Sequence, residues 1–201
     1  EDIDVVDGEA FARNGNKPVL KFGELARLAQ GMPGFSLHPG QTAGLENTAY
    51  FTPPQAAYCS GTHVAEVEVD PITGGVKILQ YSVAHDAGNI INPLIVDGQV
   101  QGGVAHGVGN AMFEWMKYDE NGQPLTTSFA DYLIPMATDV PTCKIAHVET
   151  PSPLNPLGVK GAGEGGTIPA PAAIISAIED ALSPFGFHAV DSPLTPDRIV
   201  E

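Results

Sequence analysis

Gly158-Val159-Lys160-Gly161-Ala162-Gly163-Glu164-Gly165-Gly166-Thr167 sets a single carboxylate among five glycines, just ahead of a segment with helical periodicity. Glycine lets backbone amides come close to a ligand. A helix N-terminus adds unpaired N–H groups and the positive end of a dipole. These residue types at this spacing suit an anion held by amides, with Glu164 placed to take or give a proton. A strand-to-helix turn carrying a solvated Glu would look much the same, because short glycine-rich patterns recur by chance. The order of the flanking segments separates the two.

Thr62 to Asp70 and a Pro-Ile-Thr-Gly-Gly turn lead to His85-Asp86-Ala87-Gly88-Asn89-Ile90-Ile91-Asn92-Pro93. Gly98-Gln99-Val100-Gln101-Gly102-Gly103 follows with Gly107 and Gly109, then Asp131-Tyr132, then the Glu164 loop. From about Tyr50 to Arg198 this succession resembles the C-terminal part of the molybdenum-binding large subunit of the molybdenum hydroxylases, the xanthine oxidase and aldehyde oxidase family. Within that family it looks most like the aerobic carbon monoxide dehydrogenase branch.

The resemblance implies an α+β portion of a molybdopterin-binding domain. The enzyme would hydroxylate or oxidise a small substrate with oxygen from water: carbon monoxide in that branch, an aldehyde or an N-heterocycle elsewhere. It also implies a molybdopterin-type molybdenum cofactor in the cytosine dinucleotide form, with FAD and 2Fe-2S clusters on medium and small partner subunits, in the cytoplasm. Matched to the family's motifs, Glu164 is the catalytic general base beside the molybdenum. Gln99 is the glutamine that hydrogen-bonds the cofactor, and Gly102, Gly103, Lys160, Gly161, Ala162 and Gly163 complete the cofactor-binding set. No side chain here is expected to ligate the metal.

An amide side chain such as that of Gln99 offers both a donor and an acceptor, as a pterin edge requires; an ordinary residue at a helix start would need neither. Lys160 has two candidate partners, a cofactor phosphate and Glu164 itself. A carboxylate working as a base near neutral pH generally relies on burial, and in the adjacent sequence only Lys160 opposes that.

Three departures qualify the resemblance. His106 stands where the carbon monoxide branch often has glutamine. Neither Cys59 nor Cys143 sits in the context of that branch's copper-binding cysteine. The family's large subunit is several times longer than 201 residues. The chain, which starts at Glu1 rather than Met, is expected to hold part of an active site, completed by the rest of the large subunit or by a split partner. A non-catalytic assembly module of the same fold is the alternative outside the enzymes; the presence of both Gln99 and Glu164 speaks against it.

Composition excludes other classes. With 24 acidic and 9 basic residues the formal charge is −15, unsuited to nucleic acid or to anionic membrane surfaces. No apolar run approaches the ~18 residues of a membrane span. Any anionic cofactor must therefore rely on backbone amides. Two cysteines cannot supply the four thiolates of an iron–sulfur cluster and are expected to be reduced. Six scattered histidines, His38, His63, His85, His106, His147 and His188, show no metal-binding spacing.

The elements that must position these residues fall in two stretches, an N-terminal segment over 1–54 and the cofactor-binding portion over 55–201. A strand pair around Asp7-Gly8 precedes a helix over Phe22–Gln30 that ends at Gly31. Met32 to Pro54 reads as a long irregular connection. Val64–Val69 and Val76–Val83 form a hairpin, and Val100–Trp115 carries an apolar i, i+4 stripe studded with glycines. Tyr118–Gln123 is a turn, Lys144–Val148 a strand, and Thr167 caps a helix continuing through Ala172–Leu182. The tail from Pro193 to Arg198 reads as extended.

Overall fold

Asp7 and Gly8, both at positive φ (50° and 78°), turn the chain back on itself between β1 (Ile3–Val6) and β2 (Glu9–Ala12). Two such residues in succession match the twist of an antiparallel pair. In this computed structural model, which describes residues 3–12, 18–31, 37, 39–40, 42–46 and 48–201, the chain forms two units, Glu1–Thr52 and Pro53–Glu201. In the first unit β2 also pairs with β3 (Pro18–Lys21), and α1 (Phe22–Leu28) follows, ending before Gly31 at φ 67°. Of the expected connection over 32–54, residues 32–36, 38, 41 and 47 lie outside the described ones. Its described residues form neither helix nor strand.

In the second unit, β4 (Ser60–Val69) and β5 (Val76–Asp86) pair antiparallel through a turn that Asp70 organises, its carboxylate accepting from the Ile72 amide at 2.8 Å. β5 then pairs in parallel with β6 (Cys143–His147), giving the order β4-β5-β6. Parallel neighbours need a crossover, and α2 (Pro93–Met112) lies within it. This helix begins seven residues before Val100. The Asn92 side chain caps it by accepting from Ile95 N–H at 3.3 Å, and Pro93 occupies the first helical position, where its missing N–H costs nothing. It stops at Met112 rather than Trp115, because Phe113 leaves helical geometry.

α3 (Pro169–Leu182) starts after Ile168, and Thr167 does not cap it. The Thr167 and Ile168 amides instead donate to the Glu164 carbonyl, both at 3.1 Å, forming a tight turn ahead of the helix. The tail is not wholly extended either. Pro196 opens a short helix, α4 (Pro196–Val200), with the Arg198 and Ile199 amides donating to the Thr195 carbonyl.

The core lies between the sheet and two helices. Val100, Val104 and Val108 of α2 meet Ile174, Ile178 and Leu182 of α3, with Tyr81 and Val83 of β5 beneath. Each such side chain contributes roughly 1.5–3 kcal/mol through burial. The expected α+β class is the observed one. No helix among the described residues is long and apolar enough to cross a membrane.

Candidate functional site

The end of β5 and the segment before the Glu164 loop lie side by side. Asn89 N–H donates to the Gly158 carbonyl at 3.0 Å, Lys160 N–H to the Ala87 carbonyl at 2.8 Å, and Asn89 Nδ2 to the Leu157 carbonyl at 2.7 Å. Beneath them Lys160 Nζ reaches Asp86 Oδ2 at 2.9 Å and Thr150 Oγ1 at 2.6 Å. Thr150 donates its hydroxyl to Asp86 in turn, and the Gly88 amide adds a bond to Oδ1 at 2.8 Å. The Lys160 ammonium, followed by these hydroxyl and amide donors, holds the Asp86 carboxyl far below the usual carboxylate range. Both side chains are largely buried, 16% and 12% exposed. Lys160 does not pair with Glu164; its ammonium is engaged by Asp86.

On α2, Gln99 is exposed. Gly98 and Gly102, one turn apart, have open space where a side chain would stand. Gln101 serves the fold instead: its Nε2 donates to the Pro141 carbonyl and its Oε1 accepts from Cys143 N–H, both at 3.0 Å. Gly103 is buried, and its face meets the Gly166–Thr167 peptide. Gly166 in turn lies on the backbone of Val100. The glutamine motif and the glutamate loop therefore join through Val100 and Gly166, one residue from Gln99 and two from Glu164. Gly103 makes that junction, while Gly102 faces outward.

The loop itself is anchored at both ends and open between. Gly161 N–H donates to the Ala57 carbonyl at 2.9 Å, so its amide is already used. The amides of Ala162, Gly163 and Glu164 find no acceptor among the described residues. Glu164 is exposed, without the burial that a base near neutral pH generally has. After it, Gly165 gives its carbonyl to His63 Nε2 at 3.1 Å, and His63 Nδ1 pairs with the Tyr81 hydroxyl at 2.9 Å. α3 adds fewer amides than its position suggests, because Pro169 and Pro171 carry no N–H.

His63, Tyr81, His85 and Asp86 are the residues that sequence reasoning left without a role. His85-Asp86 and His63 were legible only as members of the ordered segments. Nothing local paired either with the loop. Cys59 and Cys143 are free thiols, and His106 is exposed on α2.

Residues 1–141 match the family model of the molybdopterin cofactor-binding domain. The chain belongs to the molybdenum hydroxylase family. It is 40% identical to the nicotine 6-hydroxylase large subunit of Paenarthrobacter nicotinovorans over 200 residues, all of this chain and 24% of that protein. It is 33% identical over 176 residues to the carbon monoxide dehydrogenase large chain of Hydrogenophaga pseudoflava, 88% of this chain and 21% of that one. Among solved members of the family, quinoline 2-oxidoreductase from Pseudomonas putida 86 superimposes with a TM-score of 0.87 at 39% identity, over 98% of this chain and 25% of that one. The chain spans about a quarter of the length of the molybdenum hydroxylase relatives it matches.

Proposed function

We propose that this chain forms the part of a molybdenum hydroxylase large subunit that seats the pterin cofactor and presents Glu164 as the general base for oxidation of a small substrate. The observation that carries the proposal is the run of three amides, Ala162, Gly163 and Glu164, that find no acceptor among the described residues. They belong to an anchored loop that Gly103 and Gly166 join to the Gln99 segment. Successive amides of this kind suit an anionic group, and in a chain of charge −15 they are the donors at hand. The open face of Gly98 and Gly102 beside Gln99 leaves room for a flat ring whose edge an amide side chain can satisfy. These residues fit a molybdopterin-type cofactor.

When bound, that group supplies two-electron redox chemistry at its molybdenum. The chain's own residues do the rest. Gln99 orients the pterin, and Gly102 lets the backbone approach it. Gly161, Ala162 and Gly163 carry the amides toward its anionic part, with Gly161 anchoring them. Lys160 braces the loop on Asp86, Gly103 docks it on α2, and Glu164 takes and returns a proton at its carboxylate. The net reaction is insertion of an oxygen atom from water into the substrate. Glu164 needs cover from the rest of the large subunit or from a split partner.

The cytosine dinucleotide form of the cofactor belongs to this proposal, as do FAD-bearing and 2Fe-2S-bearing partner subunits and a cytoplasmic location. That the nicotine 6-hydroxylase relative is itself a large subunit supports the multi-subunit part. For the substrate, carbon monoxide dehydrogenase stands at 33% identity, against 40% for nicotine 6-hydroxylase and 39% for quinoline 2-oxidoreductase. Nicotine and quinoline are both N-heterocycles, which favours an N-heterocycle over carbon monoxide or an aldehyde.

The test is Glu164→Gln in the complete enzyme. Gln keeps the shape of the side chain but cannot take a proton, and loss of a general base lowers the rate on the order of 10²–10⁴-fold. Molybdenum per protein should stay at the wild-type level. Turnover close to wild type would sink the assignment.

A further inference from the structure

Glu164 stands on a loop of small residues, exposed, and no described residue holds its carboxylate by a hydrogen bond or an ion pair. What fixes its backbone lies one residue further on. The Gly165 carbonyl is held by His63 from β4, and the α-carbon of Gly165 is pressed from below by His85 of β5. A Cβ on Gly165 would fall 2.9 Å from His85 Cδ2 and 3.3 Å from Cys59 Sγ. His85 is 1% exposed and cannot move aside without disturbing the core. The peptide after Glu164 is thus clamped from two directions by side chains on two strands.

The hydrogen bonds give His63 one tautomer. A carbonyl oxygen only accepts, so Nε2 carries the proton toward Gly165. A neutral ring then leaves Nδ1 as an acceptor, and the Tyr81 hydroxyl donates to it. Were the ring charged, Nδ1 would also donate, and the proton of Tyr81, whose side chain is fully buried, would lose its partner. Burial also lowers the His63 pKa, the Gly165 carbonyl acting in the other direction and the nearby His85 adding to the lowering.

We propose that His63 is a positioning residue for Glu164, acting with Tyr81 through the carbonyl of Gly165. The inference rests on the assignment of Glu164 as the base. His63 touches neither the carboxylate nor the open amides. It sets the plane of the Gly165–Gly166 peptide and so the direction in which residue 164 leaves the turn. Gly165 cannot be replaced in this scheme, because His85 occupies the space of its side chain.

The experiment uses the complete enzyme with His63→Phe, His63→Gln and Tyr81→Phe, measured beside Glu164→Gln. Loss of the donor in His63→Phe should lower kcat by about ten- to a hundred-fold, the scale of a displaced catalytic group. KM and molybdenum per protein should change little. Amide hydrogen exchange over residues 161–168 should quicken. Gln can donate to Gly165 through Nε2 and accept from Tyr81 through Oε1, so His63→Gln should recover most of the rate and the protection. Tyr81→Phe removes one oxygen and keeps the core filled; it should quicken exchange and lower kcat, and it carries the test should His63→Phe fail to assemble. Wild-type kcat and exchange in Tyr81→Phe and in whichever His63 variants assemble would overturn the role of His63. Turnover surviving in Glu164→Gln would remove the assignment beneath it, and with it the inference.

Discussion

Gly103 of α2 faces the Gly166–Thr167 peptide so closely that a methyl group on it would lie 2.7 Å from the Gly166 carbonyl carbon and equally near the Thr167 nitrogen. Both neighbours are backbone and cannot rotate away. Gly103→Ala should therefore push the glutamate loop off the helix, with an overpacking cost of about 1–3 kcal/mol. Denaturant midpoints of the purified large subunit should fall, and turnover should fall with them. An alanine variant as stable as wild type would mean that the loop yields freely.

Gly102, one residue earlier, gives the opposite expectation. A side chain there meets nothing within 4 Å. Alanine is favoured over glycine in a helix by about 1 kcal/mol, so Gly102→Ala should stabilise the protein. If the pterin lies against this face, the same methyl group takes its space, and molybdenum per protein should drop. A more stable variant with full molybdenum content would remove Gly102 from the cofactor site.

The contrast between these neighbouring glycines marks where the sequence stops being informative. Glycines inside an apolar stripe announce close approach, but not to what, since one faces a loop more than 60 residues onward and the other faces open space. The β4–β5 hairpin was legible because alternation and the Asp70 turn are local. Both strands nevertheless run longer than the alternation suggested, through Ser60 and Asp86, where pairing with each other replaces the pattern. The start of α2 was missed because the apolar stripe begins at Val100, while the true signal was Asn92-Pro93, a cap and a first-turn proline. Glu164 and Gln99 stood out by motif. His63 and Asp86 did not, since their partners are 102 and 74 residues away in the chain and leave no periodic trace.

The pairing of Asp86 with Lys160 gives the last expectation. Lys160→Met would leave a largely buried carboxylate supported only by Thr150 and the Gly88 amide. Breaking a buried pair from one side costs about 3–5 kcal/mol. Asp86 in the folded protein titrates below its unfolded value of about 3.9. A depressed folded pKa stabilises fully above the unfolded pKa and loses that contribution as pH falls through it toward the folded value. In Lys160→Met the unpaired carboxyl protonates more readily, so acid relieves its burial. The unfolding midpoints of wild type and variant should thus lie far apart at neutral pH and converge as pH falls through the acid range toward the depressed folded value of Asp86. A gap that stays constant from neutral to acid pH would show that Lys160 does not stabilise the loop through its charge on Asp86.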